Sequence, residues 1–395
     1  MTKKINVYKN TVKSTYDLTP EKRAEYREIS QKSRLAKMDA QAGRSISIHK
    51  INKPRLDPNE LMPKKPRNKF TTLSLFSGGG GLDLGFDRAG FEHVASYELI
   101  PVCGETLLLN RPSWTVYSGP ESGDVTKVEW KRYAGKVDVI HGGPPCQPFS
   151  IAGGQLGHAD ERNMWGEFNR AVNAIKPKAF VAENVLGLMG AKFDGFVKTQ
   201  ILDQLTDYYI IKFELNAANF GVPQIRRRVF FVGFRTKKAF DKFLIPTSTH
   251  SSVALKKSKM IADLFEGQMG KTMGVRKALG LKNIGIDSFA PTLRSGFTGK
   301  RNTTSILNSK AGQKSWGELE IWPNGVQASR QSASQFPAQD GHFRLSVEDC
   351  ALLQGFPEDW KFAGAVYQIL GQIGNSVCPP VAYAVAINVA KALKD

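Results

Sequence analysis

The sequence is poor in everything that marks a membrane, disulfide-stapled or zinc-bound protein. No run approaches the roughly 18 consecutive apolar residues of a bilayer span, and no apolar core follows Met1-Thr-Lys-Lys4 to form a secretion signal. Cysteine is scarce: Cys103, Cys146, Cys350 and Cys378 form no CxxC pair and lie too far apart to suggest a disulfide framework. That usage fits a reducing cytoplasm and argues against a zinc site, so no metal is expected. Acidic residues are also few, 36 against 55 Lys and Arg, which leaves a net charge of +19. Such an excess suits a polyanionic partner, of which nucleic acid is the commonest, although a solvated basic surface is the competing account. Hydrophobic residues, at 41%, are as frequent as in any globular chain, so 395 residues suffice for two domains or one large domain with insertions.

The composition changes along the chain. Residues 1–68 hold 17 Lys and Arg against 7 Asp and Glu, with few large apolar side chains. Thr19-Pro20 predicts a helix start, and Pro54, Pro58, Pro63 and Pro66 predict a linker over residues 50–68. This extension reads as a mobile or accessory arm that contacts phosphates, or as a solvated basic tail. From Phe70 onward, short apolar runs alternate with helical stretches, the pattern of βαβ units and a mostly parallel sheet. Strands are expected at 72–76, 93–97, 137–141, 179–183, 210–216 and 229–234, and helices at 81–89, 164–175 and 196–205. Regularity fades between Arg235 and about Gln339, then helical spacing returns at 346–353 and 381–393.

Within that frame, Gly142-Gly-Pro-Pro-Cys-Gln-Pro-Phe-Ser150 follows the apolar run Val137-Asp-Val-Ile140. Prolines fix φ on both sides of Cys146 and hold its thiol at the carboxyl end of a strand, the edge where open α/β sheets bind ligands. A buried structural cysteine is the bland alternative; the flanking prolines favour a nucleophile. Leu73-Ser-Leu-Phe-Ser-Gly-Gly-Gly-Gly81 is a strand, a glycine loop and a helix start, which lets backbone amides approach a cofactor. Glu98 follows after the next strand, where a carboxylate takes ribose hydroxyls. Asp124 is either an acceptor for an adenine amino group or a turn aspartate. Glu183 emerges from the buried run Ala179-Phe-Val-Ala182, costly without a partner and so a candidate acid. Gln224-Ile-Arg-Arg-Arg228 offers guanidinium donors for phosphates or a base edge, unless it is a solvated face.

Taken together, these pieces resemble the DNA (cytosine-5)-methyltransferases, with the motifs in family order from about Phe70 to Leu393. Phe76-Ser-Gly-Gly-Gly-Gly81 is similar to the first cofactor motif, Pro144-Pro-Cys-Gln147 to the nucleophile motif and Glu183-Asn-Val185 to the catalytic Glu-Asn-Val. Gln224-x-Arg226-x-Arg228, Arg344 to Pro357, and Gly374-Asn-Ser-Val377 with Pro379-Pro380 resemble the eighth, ninth and tenth motifs. The resemblance implies an α/β, Rossmann-like S-adenosylmethionine-dependent domain at 69–235. An irregular target-recognition domain at 236–343 and a C-terminal part, 344–395, returning to the first domain complete it.

It also implies roles. Cys146 would add to carbon 6 of cytosine, Glu183 would hold ring nitrogen 3 and the exocyclic amine, Arg228 the carbonyl, and Arg226 the loop or a phosphate. S-Adenosylmethionine would lie against Phe76, Ser77, Gly78, Gly80, Gly81, Glu98, Leu99, Asp124, Val125, Pro145, Trp165, Asn375 and Ser376. Relatives place an aromatic residue after the ribose-binding acid; Leu99 stands there in this chain. Double-stranded DNA would meet Gln147, Ser150, Arg162, Arg294 and Arg301, and the glycine-rich stretch 150–163 is either a lid over a flipped base or an ordinary surface loop. The recognition segment around Ala290 to Arg301 resembles that of relatives acting on GGNCC or GGWCC. A monomer in the bacterial cytoplasm, with a cognate restriction endonuclease in the same system but not as a stable physical partner, completes the expectation. An RNA cytosine methyltransferase, a non-catalytic binder of the same fold and a nicotinamide dehydrogenase are the alternatives, the last resting on the glycine loop alone.

Overall fold

Short apolar runs bounded by glycine, proline or charge form the strands of one sheet, and the computed structural model describes residues 19–42, 44, 49–145, 163–252, 269–294, 303–307, 309–336, 338 and 341–394. Among these, seven strands make the main sheet: β1 (Thr71–Leu75), β2 (Glu92–Glu98), β3 (Val116–Ser118), β4 (Val139–Gly142), β5 (Ala179–Val185), β6 (Tyr209–Asn216) and β7 (Arg227–Phe234). Their spatial order is β3-β2-β1-β4-β5-β7-β6. The first five run parallel, and β7 lies antiparallel between β5 and β6. Strand order reverses between β1 and β4, so a crevice opens at the carboxyl ends of those strands.

Residue alternation decides what lies on each face. Val139, Val181, Phe230 and Val232 join one apolar layer, whereas Ile140, Phe180, Ala182, Val229 and Phe231 join the other. The first layer takes in the helices Gly81–Arg88 and Pro379–Leu393, and the second takes in Trp165–Ile175. With both faces covered, β4 and most of β5 are buried, the usual condition of a parallel sheet.

Every expected strand forms, with ends displaced by a residue or two. Unexpected elements are β3, whose three half-buried residues carry no period, and the helices Pro101–Asn110 and Val366–Asn375. Pro101 at the first helical position was a legible signal for the first of these helices. The helix expected over 196–205 ends at Gln200, and a 3-10 turn, Leu202–Gln204, follows. The region beyond Arg235 is more regular than its composition implies, with helices Lys310–Glu318 and Arg330–Gln335. It also contains two parallel strand pairs, β8 (His250–Ser251) with β9 (Gly270–Lys271) and β10 (Ile321–Gln327) with β11 (Phe343–Ser346). Val366–Leu393 is apolar enough for a membrane span, but 72% of its most apolar window is buried in the fold and Ser376–Cys378 interrupts it.

The N-terminal segment differs most from expectation. A helix does start at Pro20, running to Gln41. Residues 50–68, read as a linker, instead form a strap bound along its length. Arg55 and Leu56 donate backbone N–H groups to Ala278, Asn52 Nδ2 donates to the Leu279 carbonyl and to Asp349, and Lys65 and Asn68 donate to the carbonyls of Arg88 and Gly90. Met62 is fully buried and Leu56 nearly so. The prolines that suggested a linker flank a short helix, Pro58–Leu61, in a segment whose Arg55, Leu56, Lys65 and Asn68 N–H groups find partners on two parts of the molecule.

Candidate active site

At the carboxyl end of β5, the pairing register sets Val185 opposite Arg228 at the start of β7. The Arg228 Nε lies 3.0 Å from Glu183 Oε1. Glu183 is only 8% exposed, and burial holds its carboxyl above the ordinary range against the opposing attraction of Arg228 and Arg226. An acid so placed keeps its proton more readily than one in water. Asn184 Nδ2 donates to the Pro144 carbonyl at 3.0 Å, tying this strand end to the proline turn that leads into Cys146. Its own carbonyl oxygen accepts the N–H of Val185. The role of Asn184 was not foreseen, although a short polar side chain in a buried run was the available signal.

Arg226 behaves unlike its neighbours. It is 2% exposed, and Nη2 donates to the carbonyls of Gly374 at 2.8 Å and Ser376 at 2.9 Å. Burial pushes its guanidinium pKa down to about 9, so it remains charged at neutral pH. Expected to brace the loop or a phosphate, it holds the backbone of the C-terminal segment, while Nε and Nη1 have no hydrogen-bond partner among the described residues. Two glutamines extend the junction. Gln224 donates to the Leu353 carbonyl and to Gln354 and accepts the Leu293 N–H; Gln354 donates to Ser376. Ile225 also takes the Ala290 carbonyl, so the expected recognition segment docks directly on this arginine-rich stretch. Arg294, one of the expected DNA contacts, lies exposed at the end of that segment.

The glycine loop lies at the carboxyl end of β1. Gly78 has φ +54 with nothing within 4 Å of where a Cβ would stand, and its N–H donates to Glu98 Oε2 at 2.7 Å. The other Glu98 oxygen accepts the Ile100 N–H at 2.9 Å, and burial raises this carboxyl. Of the expected cofactor glycines, Gly78 alone faces open space. A Cβ on Gly80 would meet the Trp360 ring at 2.6 Å, and one on Gly81 would meet the Val377 carbonyl at 2.1 Å. Those two positions are glycine because the C-terminal segment packs against them. Phe76 is half-buried at φ +57, and Ser77 shares a hydrogen bond with Ser74. Beneath the loop lies Asp83, unforeseen from sequence: it accepts from Ser96 at 2.8 Å, and burial pushes its pKa up to about 6.

The remaining expected residues divide. Leu99 is 55% exposed beside Glu98, leaving its apolar face available to a planar ligand. Asp124 caps the turn Val125–Lys127 by accepting from Thr126, and Val125 is buried. Trp165 is fully buried, its ring edge-on to Phe168 and Phe231, and its indole N–H has no partner among the described residues. Ser376 is buried and Asn375 exposed. Pro145 is the last described residue before Cys146, and its carbonyl accepts the Met164 N–H at 3.5 Å. Cys146, Gln147, Ser150, Arg162 and Arg301 lie outside the described residues. Among the described residues no cluster of metal-ligating side chains occurs.

This arrangement can hold a small ligand beside the open Gly78, Glu98 and Leu99 and present to it a carboxyl, Glu183, whose pKa burial raises. Residues 70–391 match the model of the C-5 cytosine-specific DNA methylases. The chain belongs to that family. Among curated relatives, the methylase is 36% identical to the type II methyltransferase M.NgoMIV of Neisseria gonorrhoeae, over 82% of this chain and 99% of that protein. It is 32% identical to M.Eco47II of Escherichia coli, over 82% and 80%. A prophage-encoded E. coli protein described as a DNA modification methyltransferase shares its fold at a TM-score of 0.53 and 24% identity, covering 83% of this chain and 100% of that one. Entamoeba histolytica EhMeth does so at 0.54 and 15%, again over 83% and 100%. The methylase is thus a DNA (cytosine-5)-methyltransferase that takes its methyl group from S-adenosylmethionine. The residues present suit that donor: Gly78 has room above it, and the buried Glu98 carboxylate stands beside an exposed apolar Leu99.

Proposed function

We propose that the methylase modifies cytosine within a specific duplex sequence through a covalent adduct on Cys146, as the modification arm of a restriction system. The observation that carries this reading is the buried Glu183–Arg228 pair at the sheet edge where the proline turn leads into Cys146. Carbon 5 of cytosine is a weak nucleophile. Addition of the Cys146 thiolate to carbon 6, with Glu183 giving its proton to ring nitrogen 3, makes carbon 5 an enamine carbon. S-Adenosylmethionine supplies an electrophilic methyl group. Once carbon 5 carries that methyl, loss of its proton to a base expels the Cys146 thiolate, and return of the nitrogen 3 proton to Glu183 restores the ring.

The upward shift that burial gives Glu183 serves the first step, because it favours the protonated carboxyl that stabilises the adduct. Arg228, already paired with Glu183, is the donor for the cytosine carbonyl. A base inside a duplex cannot reach this pocket, so the cytosine must be flipped out, at a cost of a few kcal/mol. Residues 236–343 are the recognition domain in this reading, with Arg294, Arg301, Gln147, Ser150 and Arg162 on the DNA and the stretch 150–163 as the lid. The enzyme acts as a monomer in the bacterial cytoplasm, and its methyl marks protect DNA from a cognate endonuclease. GGNCC and GGWCC are the first sites to test. Bisulfite sequencing of DNA from cells producing the methylase is expected to show one short motif carrying 5-methylcytosine. Methylation scattered without a motif would refute sequence-specific modification.

A further inference from the structure

The edge of the sheet opposite the active site carries an open cavity of about 390 Å³ whose charged lining residues are Lys69, Lys178, Arg235, Lys238, Lys242 and Lys394. Topology makes this the far edge. Lys69 precedes β1, Lys178 precedes β5 and Arg235 follows the antiparallel β7, whereas Glu183 and Arg228 lie at the other end of the same strands. The seven residues of β5 separate the two edges by about 20 Å. A duplex seated on the active site therefore has no straight path to this cavity.

We propose that this edge is a second, sequence-independent site for the phosphodiester backbone of duplex DNA. No carboxylate lines the cavity among the described residues. Asp138 beside it is engaged by Lys178 at 2.8 Å, and Lys238 has no acidic partner among the described residues. The basic surface continues outward through Lys136, Lys176 and Lys237. It is not unopposed, because Lys176 pairs with Asp207, Lys237 pairs with Asp241, and Glu92 is exposed at the start of β2 on the same edge.

The exposure of the lining cations chooses the ligand. All six are exposed to solvent. Each therefore offers a small anion only a weak, salt-screened attraction. A polyanion differs, because every phosphate that a cation neutralises releases a condensed counterion. The floor of Phe70, Ala239 and Leu393 is apolar, and the one uncharged polar side chain in the lining, Thr236, already accepts the Ala239 N–H, so little is left to orient a small molecule. A methylase holding one segment in its cleft and a second on its opposite edge can pass between segments without free diffusion. This inference rests on the DNA reading above.

The test compares the full-length methylase with the quadruple variant R235Q/K238Q/K242Q/K394Q, all exposed positions outside the active site. Native mass spectrometry with a 16-base-pair duplex should give two duplexes per wild-type monomer and one per variant. The slope of log K against log[KCl] for non-specific duplex should become shallower by up to about 3.6, at ~0.9 for each of the four phosphates no longer neutralised. Methyl transfer to short duplexes carrying the target site should stay within twofold. One duplex per wild-type monomer with an unchanged salt slope would overturn the proposal. So would binding of pyrophosphate or ATP that the variant loses while the duplex count stays at one. If no duplex binds either protein, the DNA reading fails together with this one; loss of the second duplex site alone leaves it standing.

Discussion

Replacing Asp83 by asparagine tests whether the charge balance under the glycine loop follows from burial. Asp83 is 2% exposed, and its Oδ1 accepts from Ser96 at 2.8 Å, with the hydroxyls of Ser74 and Ser77 nearby. Burial pushes its pKa from 3.8 to about 6, opposed by hydrogen bonds from Ser96, Ser74 and Ser77. At ~1.36 kcal/mol for each pH unit, that displacement corresponds to about 3 kcal/mol. The sign follows from which state keeps the proton. Below pH 3.8 both folded and unfolded chains hold it, and the group costs nothing. As pH rises through 6 the unfolded chain has already released it, so the folded state loses stability until its own carboxyl ionises. The side-chain amide of the Asp83→Asn variant does not titrate. Urea denaturation of both proteins at a series of pH values should therefore show the wild type losing about 2 kcal/mol relative to the variant between pH 4.5 and 7.5, most of the full 3 kcal/mol. A stability difference that stays flat over that range, or grows in favour of the wild type, would refute the reasoning.

Other perturbations probe the two sites and the strap. Glu183→Gln should cut kcat by about 10²- to 10⁴-fold, measured as tritiated methyl transfer, while calorimetric affinity for S-adenosylmethionine changes less than twofold. Arg226→Met leaves the Gly374 carbonyl without its charged donor, a loss of about 1.5–3 kcal/mol. Because Ser376 and Val377 pack on Gly79 and Gly81, that loss should weaken S-adenosylmethionine binding about tenfold or more in calorimetry, with Arg226→Lys rescuing only part of it. Met62→Ala should cost about 2–5 kcal/mol in urea denaturation, whereas Leu35→Ala, on the exposed N-terminal helix, should stay within about 0.5 kcal/mol.

Legibility in the sequence followed the size of the local signal. Long apolar runs such as Ala179-Phe-Val-Ala182 and Val229-Phe-Phe-Val232 announced central strands because burial on both faces demands them. The three-residue β3 offered nothing to read. Motif residues such as Glu183 and Arg228 were legible as chemistry, and the register brings them together. What could not be read was partnership across long sequence separations. The motif around Arg226 suggested a brace for the loop or a phosphate, but not that its donors go to Gly374 and Ser376, 148 and 150 residues away. Gly80 and Gly81 likewise look like a cofactor cradle until Trp360 and Val377 are seen against them. The proline-rich strap was misread for the same reason. Composition describes a segment's own capacity to bury a core, whereas Met62 and Leu56 are buried in a core built by other segments.

The covalent role of Cys146 is tested most directly by trapping. Duplex carrying 5-fluorocytosine at the mapped target position, incubated with the methylase and S-adenosylmethionine, should yield a denaturation-resistant protein–DNA adduct in the wild type. Fluorine at carbon 5 blocks the proton loss that releases the thiol. The adduct should be absent in Cys146→Ser, whose methyl transfer to the unmodified site should fall by at least 10³-fold. An adduct that persists in Cys146→Ser, or methyl transfer at a near wild-type rate without the thiol, would contradict the account.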